Sequence, residues 1–485
     1  MCDILLRGSA VKKWFKNCIY PDFNKECLAF GNVLVEEGKI KKLDCIESFN
    51  SESDAQEVIN LCKKIISEHL SLEEGNNCNI KILSPGFIDI HMHEEDFLSE
   101  GAHFVISEMM LRQGVTTCVG GQCGVQNQPL NTFISEINAL GGAPTNYMML
   151  TGYNQKRVSL GIGHYSETTE LQLTDLKRQI NKEINEGAAG ISFGIEYDPG
   201  ISTEEIIEVI NSIENDDILV AAHYREDGNG AIDSIKEMIE IQKNIGNKKF
   251  QISHLSSCSA MGSMKESLSL IKRAMEEYPQ LDYDTYPYNA FSTQIGSEVF
   301  SEGCFEGWGK SYEDILLTDE PYKNIYCDKQ IFEICRSKYP EMLAIAFVMN
   351  EEEIEEAIIN INGMIASDGI INHGNGHPRA AGTFPRVIRK YVRENKSISL
   401  YRAIEKMTIK PANRLNLKKK GRIEEGADAD LVVFDYEKIA DGATYDDISI
   451  PPRGIDEVYV SGELALKENK KCNENLGRLI LRRSI

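Results

Sequence analysis

The sequence predicts an α/β chain: a (β/α)8 barrel of the TIM type beside a small β-sandwich formed by both chain ends. Three observations predict it. Strand-like apolar runs occur eight times between residues 82 and 368. Amphipathic, charge-rich stretches of helical length separate most of them, and that alternation marks a parallel barrel. The two ends carry short β-like pieces instead, "NVLVEEGKIKKL" before the first run and "ADLVVFD" and "GIDEVYVSGELAL" after about residue 418. A chain of 485 residues has room for one barrel-sized domain and a smaller one. The expected division is 83–417 for the barrel and 1–82 with 418–485 for the sandwich.

In chain order the barrel strands are "ILSPGFIDIHM" (82–92), "VTTCVGG" (115–121), "TNYMMLTG" (145–152) and "AAGISFGI" (188–195). The second half follows with "DILVAAHY" (217–224), "KFQISHL" (249–255), "LDYDTYPY" (281–288) and "GMIASD" (363–368). Helical patterns fill 171–186, 203–214, 231–245 and 264–278. Residues 290–345 interrupt the rhythm between strands seven and eight with an acidic, aromatic-bearing segment that includes "EGCFEGWGKSYEDILL". An insertion of that length in a compact domain reads as a lid or subdomain over a site.

Composition removes several function classes. The net charge of −23 repels nucleic acid and anionic lipid. No run approaches membrane-spanning length, and residues 1–20 lack the apolar core of an export signal. Thirteen cysteines, an odd number without a Cys-x-x-Cys pair, read as reduced thiols of a cytoplasmic protein. The expected partner is a small molecule. Nothing in the sequence distinguishes a monomer from an oligomer.

Barrel enzymes assemble their sites at the C-terminal ends of the strands. Strand one ends in His91 and His93, whose alternation puts both imidazoles on one face. Cys123 follows strand two between glycines, His223 ends strand five, His254 ends strand six and Asp368 ends strand eight. Any one of these alone reads as a packed or surface residue; six on one rim read as a metal site. Imidazole, thiolate and carboxylate are the donor set of zinc. Zinc in an open site acidifies water to near neutrality and polarises a carbonyl, which is hydrolytic chemistry. An amide nitrogen must be protonated to leave, and Asp368 is the candidate general base and acid. Cys118, inside the strand-two run, is assigned to packing.

With these residues placed, the chain resembles the amidohydrolase superfamily and its metal-dependent hydrolase barrels. Its finer motifs resemble the D-aminoacylase (N-acyl-D-amino-acid deacylase) family: "PGFIDIHMH", "GVTTCVGGQCG", "GISFGIEYDPG", "AHYREDG", "ISHL", "DYDTYPYNAFST", "ASDG", "HPRAAGTFPRV" and "GRIEEGADADLVVFD" follow in family order. The resemblance implies cleavage of the linear amide of N-acyl-D-amino acids. It implies a tight zinc on Cys123, His223 and His254, and a second, weaker metal position at His91, His93 and Asp368. By the same resemblance, Arg379 of "HPR" and Tyr286 or Tyr288 would meet the substrate's α-carboxylate, a group that a guanidinium grips with two hydrogen bonds.

One departure bears on substrate. The family reads Ser-His-His-Lys on strand six, and its lysine helps hold the carboxylate; here Ser253, His254, Leu255 and Ser256 stand there. A charge-assisted contact worth about 1.5–3 kcal/mol is absent, with Arg225 or Lys265 as candidate replacements. That departure admits a cyclic-amide hydrolase of the hydantoinase or dihydroorotase kind, although strand four lacks the bridging lysine and Cys123 is present. The spacing of His223 and Glu226 admits a heterocycle deaminase, which would have no use for Cys123. A catalytically dead scaffold would be expected to have lost ligands.

Overall fold

A computed structural model describes residues 12–69, 80–99 and 101–482. Residues 1–11, part of the stretch read for an export signal, lie outside the described residues. All eight expected barrel strands form. Phe87–Asp89, Val115–Gly120, Asn146–Gly152, Gly190–Gly194, Leu219–His223, Lys249–Ile252, Leu281–Thr285 and Met364–Ile365 make one sheet in sequential order. The ring closes just beyond the strand ends. Met92 bridges Gly369, Asp368 N–H donates to His91 O (2.8 Å) and His93 N–H donates to Gly369 O (2.8 Å). The hydrogen bonds that shut the barrel therefore run through three of the expected site residues.

The outer helices start and stop where their sequences dictate. Glu170–Glu186 opens on a capping box, in which Thr169 Oγ1 accepts from Gln172 N–H, and ends at Gly187 with φ 117°. It turns Leu176, Ile180 and Ile184 inward, one turn apart. Thr203–Asn211, Ala231–Asn244 and Met264–Glu277 occupy the other expected segments.

Inside the barrel, Ile88, Ile90, Val119, Met148, Leu150 and Leu219 form a packed core. Leu415, Leu417 and Ile480 join that core. Ile480 belongs to a tail that pairs Gly477 with Ala143 and Leu479 with Tyr147. The chain beyond 476 thus packs on the barrel, whereas the sequence division put everything after 418 in the small domain. Two or three apolar residues are too short a pattern to announce that return.

Strand one is likewise shorter than expected. The run 82–92 divides at Gly86. Ile82–Pro85 enters the terminal sheet, parallel to Lys12–Asp22 and antiparallel to Leu431–Phe434, while Phe87–Asp89 enters the barrel. Both halves are buried on both faces, so the apolar run shows no break. A Cβ at Gly86 would lie 2.1 Å from Thr116 Oγ1, so only glycine fits at the crossing.

The two chain ends do combine. Eight strands form one ladder that includes Lys12–Asp22, Cys27–Glu36 and Lys39–Asn50 from the first end and Leu431–Phe434, Ile455–Val460 and Glu463–Lys467 from the second. The ladder folds over on itself: Phe15 meets Tyr459 edge-on at 5.3 Å across an apolar layer with Val33, Leu83 and Leu431. The insertion is a folded unit too. Phe291–Gln294, Leu343–Ala346 and Ile315–Leu317 make an antiparallel sheet, and Phe300, Phe305, Trp308, Tyr312 and Phe332 pack together beside it. Among the described residues no helix is long and apolar enough to cross a membrane.

Candidate metal centre

The six rim residues converge. Cys123 Sγ lies 3.4 Å from both His91 Nε2 and His254 Nε2. Asp368 Oδ1 lies 3.4 Å from His91 Nε2 and from His93 Nε2. Ligand atoms of His91, Cys123, His254 and Asp368 all fall within 4.8 Å of one another, and all four residues are buried. His223 stands beside them, its ring 4.6 Å from that of His254. Its Nδ1 is buried without a hydrogen-bond partner, while its Nε2 is 2.7 Å from Glu196 Oε2. The tightest four thus draw from both of the expected metal positions, with His223 and His93 at the margins.

The backbone is bent to present these groups. Cys123, His254 and Asp368 all adopt left-handed φ values, 51°, 34° and 50°. Each such conformation costs a non-glycine residue about 1–3 kcal/mol and persists where surrounding structure enforces it. Around Cys123, Gly121 and Gly124 are also left-handed, and a Cβ at Gly124 would fall 1.8 Å from Asn154 Oδ1. Asp284 anchors the histidines from below. It accepts from His254 N–H at 2.7 Å and lies 3.4 Å from His91 Nδ1. Ser257 Oγ, 2.8 Å from His254 Nδ1, orients the other side of that ring.

The charges call for a cation. Burial raises the Cys123 thiol, but His91, His254 and His223 outweigh it and bring the thiol well below its ordinary value. Burial likewise opposes ionisation of Asp368, yet Arg379 and the neighbouring histidines hold it far below the usual carboxylate range. Burial lowers His93 and His223, while Asp368 acting on His93, Glu196 acting on His223 and the Cys123 thiolate acting on both lift each to about 9. A buried thiolate and carboxylate ringed by imidazoles, with His223 Nδ1 unpartnered, fit a zinc ion.

Comparison with known proteins agrees. A model of the amidohydrolase family matches residues 360–465, which include Asp368 and Arg379. A D-aminoacylase of Alcaligenes xylosoxydans xylosoxydans is 29% identical over 83% of this chain and 87% of its own. An N-acyl-D-aspartate deacylase of the same organism is 27% identical over 82% and 84%. A crystal structure of a D-aminoacylase superposes with a TM-score of 0.80 at 26% identity, covering 96% of this chain and 98% of the other.

The chain is similar to the D-aminoacylases and related deacylases over most of its length.

The metal cluster forms the floor of a cavity of about 790 Å3, walled on one side by the insertion through Phe291, Ser292, Glu298 and Glu341. Arg379 lies just behind the wall: it is 1% exposed, with Nη2 3.0 Å from Asp368 Oδ2 and donating to Ser292 O at 3.0 Å. Its Nε and Nη1 and the hydroxyl of Tyr286 are buried without partners, and the guanidinium stacks 4.7 Å from the Tyr286 ring. Tyr288 is directed elsewhere, donating to Pro378 O (3.4 Å) under Arg386.

Neither candidate replacement for the family lysine reaches the cavity. Arg225 is bound to Glu237 (2.7 Å) and to the carbonyls of Pro199 and Ile201, and Lys265 is exposed on an outer helix. Glu226, the residue that admitted a deaminase, is exposed as well. Sequence reasoning missed Glu196 and Asp284. Both were within reach of the rule that found the others: Glu196 follows strand four, and Asp284 alternates with Asp282 at the end of strand seven.

Proposed function

We propose that this protein removes the acyl group from N-acyl-D-amino acids. The observation that carries the reading is the cluster of Cys123, His91, His254 and Asp368, three of which, Cys123, His254 and Asp368, line the cavity floor. Cys123, His223 and His254 would hold one zinc tightly, and His91, His93 and Asp368 would line a weaker second position. A D-aminoacylase 25% identical to this chain, with a TM-score of 0.79, is described as having a binuclear centre with one-metal activation and second-metal attenuation. Bound there, zinc supplies the Lewis acidity that activates water and polarises the acyl carbonyl.

The chain's own groups do the rest. Asp368 Oδ1 takes a proton from the attacking water and delivers it to the amide nitrogen, which leaves as the amine. Arg379, drawn from Asp368 Oδ2, and the Tyr286 hydroxyl meet the α-carboxylate; their uncommitted donors support that role. Glu196 and Ser257 orient His223 and His254, as carboxylates and hydroxyls do behind metal-bound imidazoles.

The test is amine release by zinc-loaded protein from N-acetyl and N-formyl D- and L-amino acids, with hydantoin and dihydrouracil followed for ring opening. Turnover of the D-acyl series, lost in Asp368→Asn, is the expected result. Ring opening alone would replace this reading with a cyclic-amide hydrolase, which Ser256 in place of the family lysine favours as the second reading.

A further inference from the structure

The cavity over the metal floor is rich in carboxylates. Nine Asp and Glu residues line it, and none of the described lining residues is Lys or Arg. Some of these acids are engaged within the protein. Glu94 accepts from the N–H groups of Gly121 and Asn127, Asp198 pairs with His164, and Asp368 sits among the histidines and Arg379. Asp227, by contrast, has a neutral side-chain donor, the Trp308 indole N–H at 2.7 Å, and Glu341 has Gln294 at 2.7 Å.

A second feature lies on the same wall. Phe291 and Val299 of the insertion line the cavity, and Phe291 packs edge-on at 5.5 Å against the Trp308 that holds Asp227. Between them Ser292, 5% exposed, turns a hydroxyl without any hydrogen-bond partner into this wall. An apolar stretch ending at carboxylates matches a side chain with an aliphatic stem and a cationic head. It also rejects an acidic side chain by like-charge repulsion, the second half of any specificity.

We propose that this enzyme selects acyl amino acids whose side chain carries an ammonium or guanidinium group, with Asp227 as the head group's partner and Phe291 and Val299 against its stem. The inference rests on the deacylase reading above and adds the substrate class to it. The α-carboxylate and the side-chain cation then occupy opposite ends of the site, Arg379 with Tyr286 at one and Asp227 at the other.

The experiment compares binding of free D- and L-lysine, norleucine and glutamate to the zinc-loaded protein by calorimetry, beside hydrolysis of their N-acetyl derivatives. Norleucine is lysine without the ammonium, so the pair isolates the charge. Lysine is expected to bind at least tenfold more tightly than norleucine, glutamate to bind weakest, and Asp227→Asn to bring the lysine-to-norleucine ratio close to one. The wild-type ratio needs no variant, so a misfolded variant cannot mask the answer. Equal binding of lysine and norleucine, or preference for glutamate, overturns the inference while hydrolysis leaves the deacylase reading standing. A lysine preference without hydrolysis of any acetyl derivative overturns the deacylase reading and keeps the charge selection.

Discussion

The two ends of this barrel are made from the same strands and do opposite work. At the N-terminal end Leu219 and Ala189 pack with Leu415, Leu417 and Ile480 in an apolar plug. At the C-terminal end the strands finish in imidazoles, a thiol and carboxylates gathered closely enough to hold a metal ion. Three of those donors hold left-handed backbone conformations. One end accumulates packing energy and the other stores strain, so the strands' apolar bases support their polar tips.

That contrast can be broken from either side. The largest expected effect is at the tip. Asp368→Asn keeps the shape and tolerates a positive φ, yet kcat on the accepted substrate should fall by roughly 10³-fold, within the range lost with a general acid–base. The tightly held zinc of Cys123, His223 and His254, measured by atomic absorption after dialysis, should stay at the wild-type level; its loss would show that Asp368 is needed to hold that metal as well. Next comes the base. Leu417→Ala should lose about 2–5 kcal/mol in urea unfolding while kcat per folded molecule changes less than twofold. A large drop in kcat there would show that the two ends are not separable.

Glu196→Gln sharpens the division by touching a group behind the tip. It should weaken zinc affinity by roughly 10–100-fold in a chelator competition, with kcat at saturating zinc close to wild type. The smallest effect expected is for Tyr286→Phe, a rise of several-fold in KM with kcat nearly unchanged. Tyr288→Phe is its control, because that hydroxyl faces Pro378 O and should leave KM unaltered.

The rim was legible in the sequence because barrel strands buried on both faces read as unbroken apolar runs, and a polar residue at the end of such a run stands out. His91, His223, His254 and Asp368 were visible for that reason. The same property hid the crossing at Gly86, where one apolar run serves two sheets. Glu196 was missed because it lies two residues past its strand, and Asp284 because it lies inside its strand rather than at the end of an apolar run. The two tyrosines of "DTYPY" could not be told apart, since Pro287 between them redirects the chain by a turn that periodicity does not encode.

The tail that carries Ile480 has a consequence for how the molecule is made. Its barrel strands are synthesised between residues 87 and 365, and Ile480, which packs against their floor, follows long after. Until then a nascent barrel presents an open, greasy underside to solvent or to a chaperone. Fusing a bulky tag directly behind residue 482, or clipping the chain ahead of Gly477, therefore disturbs assembly far more than the surface position of that segment suggests, whereas the same tag at the other terminus leaves the floor to close undisturbed.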